Sequence, residues 1–141
     1  MDSYVELYKG GIIPMKEFAQ MKKDRDILVR IIVKKVPMHT VYLSQRNSAT
    51  DFPVLTCAVG LEEKKVRIVI GARPQKAMLI EKELESSFKF KVEEVEALAE
   101  EVQKLVPTGS NMRASAEYRS HLVKVLTKRA LVQVEGDANE N

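Results

Sequence analysis

The strongest constraint on what this chain can fold into is a pair of β-branched runs, Val54–Leu61 and Lys65–Ala72, separated only by the charged segment Glu62-Glu63-Lys64. Branched side chains fit the pleated surface of an extended chain, and a polar connection this short folds two such runs back on each other as an antiparallel hairpin. In the second run Val66, Ile68 and Ile70 point one way while Arg67 and Val69 point the other. That alternation predicts a sheet with one face packed under helices.

Upstream, Ile27, Val29, Ile31 and Val33 alternate with Leu28, Arg30, Ile32 and Lys34, the two-residue period of another strand. After Pro37, the run His39-Thr40-Val41-Tyr42-Leu43 predicts a further extended segment that ends in the polar loop Gln45-Arg46-Asn47-Ser48. Residues Met1–Lys23 mix short apolar pieces with Gly10-Gly11 and Pro14 and keep no sustained period, which suits an irregular lead-in or a remnant of something larger.

Downstream, Lys76–Leu84 follows Pro74 with mixed apolar and charged faces and is expected to form a short helix. From Val92, the residues Val95, Leu98, Ala99, Val102, Leu105 and Val106 recur at helical spacing until Pro107 and Gly109 end the pattern. Ser110 or Asn111 then caps a last helix from about Ala114 to about Val134, with Tyr118, Leu122, Val125, Leu126 and Leu131 near one stripe. Glu135–Asn141 is polar and is expected to be a disordered tail. Strands followed by helices predict an α+β domain: a small, mostly antiparallel sheet of three to four strands, packed on one face by two to three helices. A length of 141 residues with 45% hydrophobic content suffices for one such core.

Chemistry is sparse. Cys57 is the lone cysteine, so an intrachain disulfide, a four-thiolate iron–sulfur centre and a cysteine-rich zinc site are all excluded. It lies among Val54, Leu55, Ala58 and Val59, where a buried apolar role outweighs a nucleophilic one. His39 and His121 are far apart, and His121 sits inside a predicted helix with no partner for acid–base work. No glycine-rich phosphate loop occurs, and Gly10-Gly11 runs into Pro14, which lacks an amide donor. The carboxylates Glu93, Glu94, Glu96, Glu100 and Glu101 spread over a helix face without singling out a catalytic pair.

The basic set Arg113, Arg119, Lys124, Lys128 and Arg129 can bind phosphates or pair with the acidic helix before it, and pairing is favoured over nucleic-acid binding. The 23 basic and 20 acidic residues nearly balance at +3, which names no electrostatic partner. No membrane-length apolar run or signal peptide is seen, and a cytoplasmic location is expected.

The segment from Ser110 through Arg113-Ala114-Ser115, Tyr118-Arg119 and on to Arg129-Ala130-Leu131 resembles the closing helix of FAD-binding subunits of molybdenum hydroxylases, the xanthine dehydrogenase and carbon monoxide dehydrogenase flavoprotein family. Asp51-Phe52-Pro53-Val54, and Val66–Gly71 followed by Arg73-Pro74, agree in order. Two departures stand out: Asn111 occupies the usual place of an aspartate, and Gly71-Ala72-Arg73 replaces a more glycine-rich turn.

The resemblance implies a flavoprotein C-terminal domain over residues 26–134, preceded at 1–25 by a remnant of an FAD-binding domain and followed by the tail 135–141. It implies FAD in the full-length subunit, with none bound to this chain alone, and as partners an FAD-bearing domain, an iron–sulfur subunit and a molybdopterin subunit. Tyr42 and Arg46 are the residues it suggests for facing the flavin, while Arg113, Ser115, Tyr118 and Arg119 form the family motif. A domain that helps cover the flavin and dock partner subunits, with no catalysis of its own, is therefore expected; the alternative is a free-standing adaptor that binds protein or nucleic acid.

Overall fold

The computed structural model describes residues 2–22, 25–62, 64–84 and 90–139; Lys23 of the lead-in, Glu63 of the hairpin turn and the last two residues of the tail lie outside them. The chain divides into two compact units, Met1–Pro37 and Met38–Asn141.

In the first unit, β1 (Ser3–Leu7), β2 (Gly11–Pro14) and β3 (Leu28–Val33) form an antiparallel sheet in the order β2-β1-β3, with helix α1 (Met15–Gln20) between β2 and β3. The expected irregular lead-in is thus regular structure. Its strands are too short to show a period, yet Val5 and Leu7 are buried at alternate positions. Gly11 has φ +69°, a left-handed conformation that costs glycine nothing, as the hairpin turn requires. The turn's amides are already occupied: Asp26 accepts from Lys9 N–H at 3.1 Å and Gly10 N–H at 2.8 Å. Although burial raises the Asp26 pKa, these amides hold it below the ordinary aspartate value. A glycine pair bound in this way is turn punctuation.

The first compact unit runs on to Pro37 because β3 pairs with β1. Tyr4 opposes Ile32 and Val5 opposes Ile31. The apolar residues of β3 are poorly covered: Leu28, Val29, Ile31 and Val33 all remain substantially exposed.

The second unit is a four-stranded antiparallel meander of β4 (His39–Gln45), β5 (Leu55–Glu62), β6 (Lys65–Gly71) and β7 (Met78–Glu83), in that spatial order. The predicted hairpin is β5–β6, with Cys57 opposite Ile70 and Val59 opposite Ile68. Helices α2 (Val92–Leu105) and α3 (Ala116–Asn139) cover one face. Val41, Leu55, Val59, Val66, Ile68 and Ile70 pack there against Val95, Leu98, Val102, Leu122, Leu126 and Leu131. This is the α+β arrangement that the patterning requires.

Two expectations for local structure are corrected. Lys76–Leu84 is not a helix but contains strand β7, paired along β6 from Lys65↔Glu83 to Ile70↔Met78. Its lysine and glutamate content favours helix, but the open edge of β6 offers a ladder of hydrogen bonds, and tertiary context overrides propensity. Cross-strand ion pairs secure it: Glu81 meets Arg67 at 3.0 Å and Lys65 at 3.1 Å. The last helix also runs past Val134 to Asn139, so the described part of the expected tail is helical. Buried Val134 and a hydrogen bond from Phe90 N–H to Glu135 Oε1 at 3.3 Å anchor that extension.

Candidate functional site

The chain enters α3 through a tight turn. Asn111 N–H donates to Ala114 O at 3.0 Å, and Ala114 N–H donates back to Asn111 O at 3.3 Å. Because this turn stands between Asn111 and the helix, the capping residue is Ser115, whose Oγ accepts from Tyr118 N–H at 3.2 Å. Ser110 assists from the far side of the turn by accepting Ala116 N–H at 2.9 Å. Asn111, the other expected cap, is instead turned towards the arginines: its Oδ1 accepts Arg113 N–H at 2.9 Å and Arg119 Nη2 at 2.6 Å.

Arg119 is only 1% exposed and is the largest fully buried side chain of the structure's described residues. Its Nε donates to Val54 O at 2.9 Å, and its Nη1 to Gly109 O at 2.6 Å and Ala114 O at 2.7 Å. The group ties the first turn of α3 to the start of β5 and to the loop after α2. Burial and the neighbouring charge of Arg113 lower its pKa below the ordinary arginine value, yet a guanidinium this basic keeps its proton at neutral pH.

Arg113 reaches in another direction, placing Nε 3.3 Å from Asp51 Oδ1 and its guanidinium 5.3 Å from the centre of the Phe52 ring. Arg73 is also buried; Nε donates to Lys76 O at 2.8 Å and Nη1 to Gln75 Oε1 and Pro107 O, both at 2.7 Å. Segments 51–54, 71–76 and 107–119, distant in sequence, therefore meet at one end of the sheet. Between them lies an open depression of about 520 Å³, bounded by Phe52-Pro53, by Ala72 and Pro74-Gln75, and by Asn111 and Arg113. Arg119 belongs to the motif seen in the sequence, but the burial of Arg73 and Arg119 beside Gln75 and Asn111 has no local sequence signal, because only the fold brings these residues together.

Tyr42 and Arg46 lie elsewhere on this unit. Tyr42 is 61% exposed on the sheet face opposite the helices, where it heads the row Tyr42↔Ala58↔Val69↔Leu79 across all four strands. Arg46 follows β4, and donates from Nε to Ser44 Oγ at 3.4 Å and from Nη1 to Asp51 O at 2.6 Å. It thus links the Tyr42 strand to the arginine-rich loops.

The remaining candidates resolve into structure. Cys57 is buried, 3.8 Å from Thr127 Oγ1, and burial pushes its thiol up to about 11, far from a reactive thiolate at neutral pH. Lys124 pairs with Glu96 at 2.8 Å and Glu100 at 2.9 Å, and Lys128 pairs with Glu96. Hydrogen bonds from Lys124 and then Lys128 hold the Glu96 carboxyl down at about 2, and Lys124 is correspondingly raised. Two members of the basic set are therefore engaged with the acidic helix. Among the described residues no cluster of three metal-ligating side chains occurs, and no helix is long and apolar enough to cross a membrane.

Residues 40–134 match the family model of the CO dehydrogenase flavoprotein C-terminal domain. The chain belongs to that family. Its fold is similar to that of quinoline 2-oxidoreductase from Pseudomonas putida 86, at 16% identity and a TM-score of 0.79 over 97% of this chain and 53% of the other. Similarity to carbon monoxide dehydrogenase from Hydrogenophaga pseudoflava lacking the Mo-pyranopterin moiety is equal in TM-score, 0.79, at 19% identity over 92% and 51% of the two chains. The cyanide-inactivated Cu,Mo-CO dehydrogenase gives a TM-score of 0.70 at 12% identity, over 96% and 53%. The chain spans about half the length of these structures. No curated protein sequence matches it.

Proposed function

We propose that this chain acts as the C-terminal domain of an FAD-binding subunit in a xanthine dehydrogenase-type molybdenum hydroxylase, covering part of the flavin and docking the iron–sulfur and molybdopterin subunits in the cytoplasm. It does not carry out catalysis by itself. FAD belongs to the full-length subunit, and the unit Met1–Pro37 belongs with the flavin-holding part.

The observation that carries this proposal is Tyr42, a large aromatic left 61% exposed on the uncovered face of a sheet from this flavoprotein family. An aromatic ring offers a flat apolar surface to a planar cofactor, and Arg46 supplies a cation at the end of the same strand. Arg113, Ser115, Tyr118 and Arg119 serve as the frame: Ser115 caps α3, and the two arginines fix the loops around it.

The test is a mixing experiment. After incubation of the chain with excess FAD and gel filtration, the protein is expected to be colourless; a retained flavin band would show a binding site within this chain alone. With a separately produced FAD-bearing domain, the chain should quench flavin fluorescence, and Tyr42→Ala should remove most of that quenching. An unchanged flavin signal with the intact chain would refute the covering role.

A further inference from the structure

The loops around the depression at the end of the second sheet hold more positive charge than they neutralise. Arg46, Arg73, Arg113 and Arg119 all bind within them, and the carboxylate partner seen there is Asp51, which pairs with Arg113. Glu117 lies nearby but is turned back to its own backbone and Ser115. Arg73 and Arg119 instead bond to carbonyl oxygens and to the neutral amides of Gln75 and Asn111.

Those two amides have a defined polarity. The oxygen of each is consumed by a buried guanidinium, Gln75 Oε1 by Arg73 at 2.7 Å and Asn111 Oδ1 by Arg119 at 2.6 Å. An amide fixed through its oxygen presents its NH2 as a donor. Neither Nδ2 of Asn111 nor Nε2 of Gln75 has an acceptor among the described residues, and the terminal nitrogens of Arg113 have none either. Both amides and Arg113 border the depression, and Phe52, Pro53 and Pro74 give it an apolar wall.

From this arrangement we propose that the depression is a binding site for a small aryl oxyanion, a carboxylate or phosphate ester whose charged end meets Asn111, Gln75 and Arg113 and whose ring lies against Phe52 and the prolines. Donors already oriented and backed by buried charge need little reorganisation to receive an anion. The apolar wall discriminates an aryl ligand from a bare inorganic ion. This site is separate from the Tyr42 face, and its test does not depend on the flavin proposal.

The experiment is an NMR titration of the full chain at constant ionic strength with phenyl phosphate, benzoate and inorganic phosphate. Saturable shifts in the side-chain NH2 signals of Asn111 and Gln75 are expected, with at least one aryl probe bound about tenfold more tightly than inorganic phosphate. Whichever aryl probe saturates assigns the oxyanion. Asn111→Asp replaces a donor with a negative charge beside Arg119 and should weaken binding about tenfold or more without lowering the melting temperature. Gln75→Glu, an exposed position, provides the same reading if the first variant misfolds. Shifts that fail to saturate, that persist unchanged in both variants, or that are as strong with inorganic phosphate as with the aryl probes would overturn the proposal.

Discussion

Arg119 Nη2 lies 2.6 Å from Asn111 Oδ1, so a guanidinium only 1% exposed is held by a neutral amide where a carboxylate would fit. The contact is a satisfied hydrogen bond, but it leaves the buried charge uncompensated. Asn111→Asp is expected to raise stability by about 1 kcal/mol through a charge-assisted bond, whereas Arg119→Leu should cost about 3 kcal/mol or more by orphaning its carbonyl partners. Urea unfolding monitored by circular dichroism checks both; a loss of stability in Asn111→Asp would show that the uncompensated charge carries no cost.

Ala72 has φ +56°, a conformation that strains a residue bearing Cβ. Ala72→Gly should therefore stabilise the protein by up to about 1 kcal/mol, the strain relieved exceeding the added freedom of the unfolded chain. Its neighbour demands the opposite. A Cβ on Gly71 would lie 2.6 Å from Thr56 Oγ1, so Gly71→Ala should lower the melting temperature, and Gly71→Ala combined with Thr56→Ala should recover part of the loss. Thermal melts of the single and double variants measure this.

The α2–α3 ion pairs predict a weakening in acid. Glu96 has a folded pKa of about 2, below the ordinary glutamate value of 4.5, so the unfolded chain binds its proton first as pH falls. The contribution of Glu96 is complete above about pH 4.5 and fades as pH falls from there to about 2. Stability measured across this window should decline less steeply in Glu96→Gln. Added salt should also weaken the contribution, since these side chains lie at the surface.

Cys57 should resist thiol reagents in the folded protein. Burial both blocks access and pushes its pKa up to about 11, so labelling by a disulfide reagent at neutral pH should proceed only through unfolding. Labelling rates compared with and without denaturant test this; rapid labelling of the native chain would contradict the packing of Cys57 against α3.

The family motif and the hairpin were legible in the sequence because each depends on short-range order. Val66, Ile68 and Ile70 alternate whatever lies above them, and the α2 stripe repeats at a period that only a helix can turn to one side. The role of Lys76–Leu84 was hidden for the converse reason. Met78 and Ile80 face the core and Glu81 faces Arg67 only because β6 has an edge for them to join.

The site followed the same division. The residues Arg113, Ser115, Tyr118 and Arg119 were recognisable as a pattern, but nothing local indicates that Arg119 reaches Val54 across 65 positions or that Arg113 meets Asp51 across 62. By itself, the sequence determined the β5–β6 hairpin, the two covering helices and the family, since strand alternation, helix periodicity and a contiguous motif are properties of neighbouring residues. Only the tertiary structure decided that Arg73 and Arg119 are buried against neutral amides, that Gln75 and Asn111 share a depression, and that Tyr42 stands on the open face: these depend on which distant backbone segments approach closely enough to exclude water.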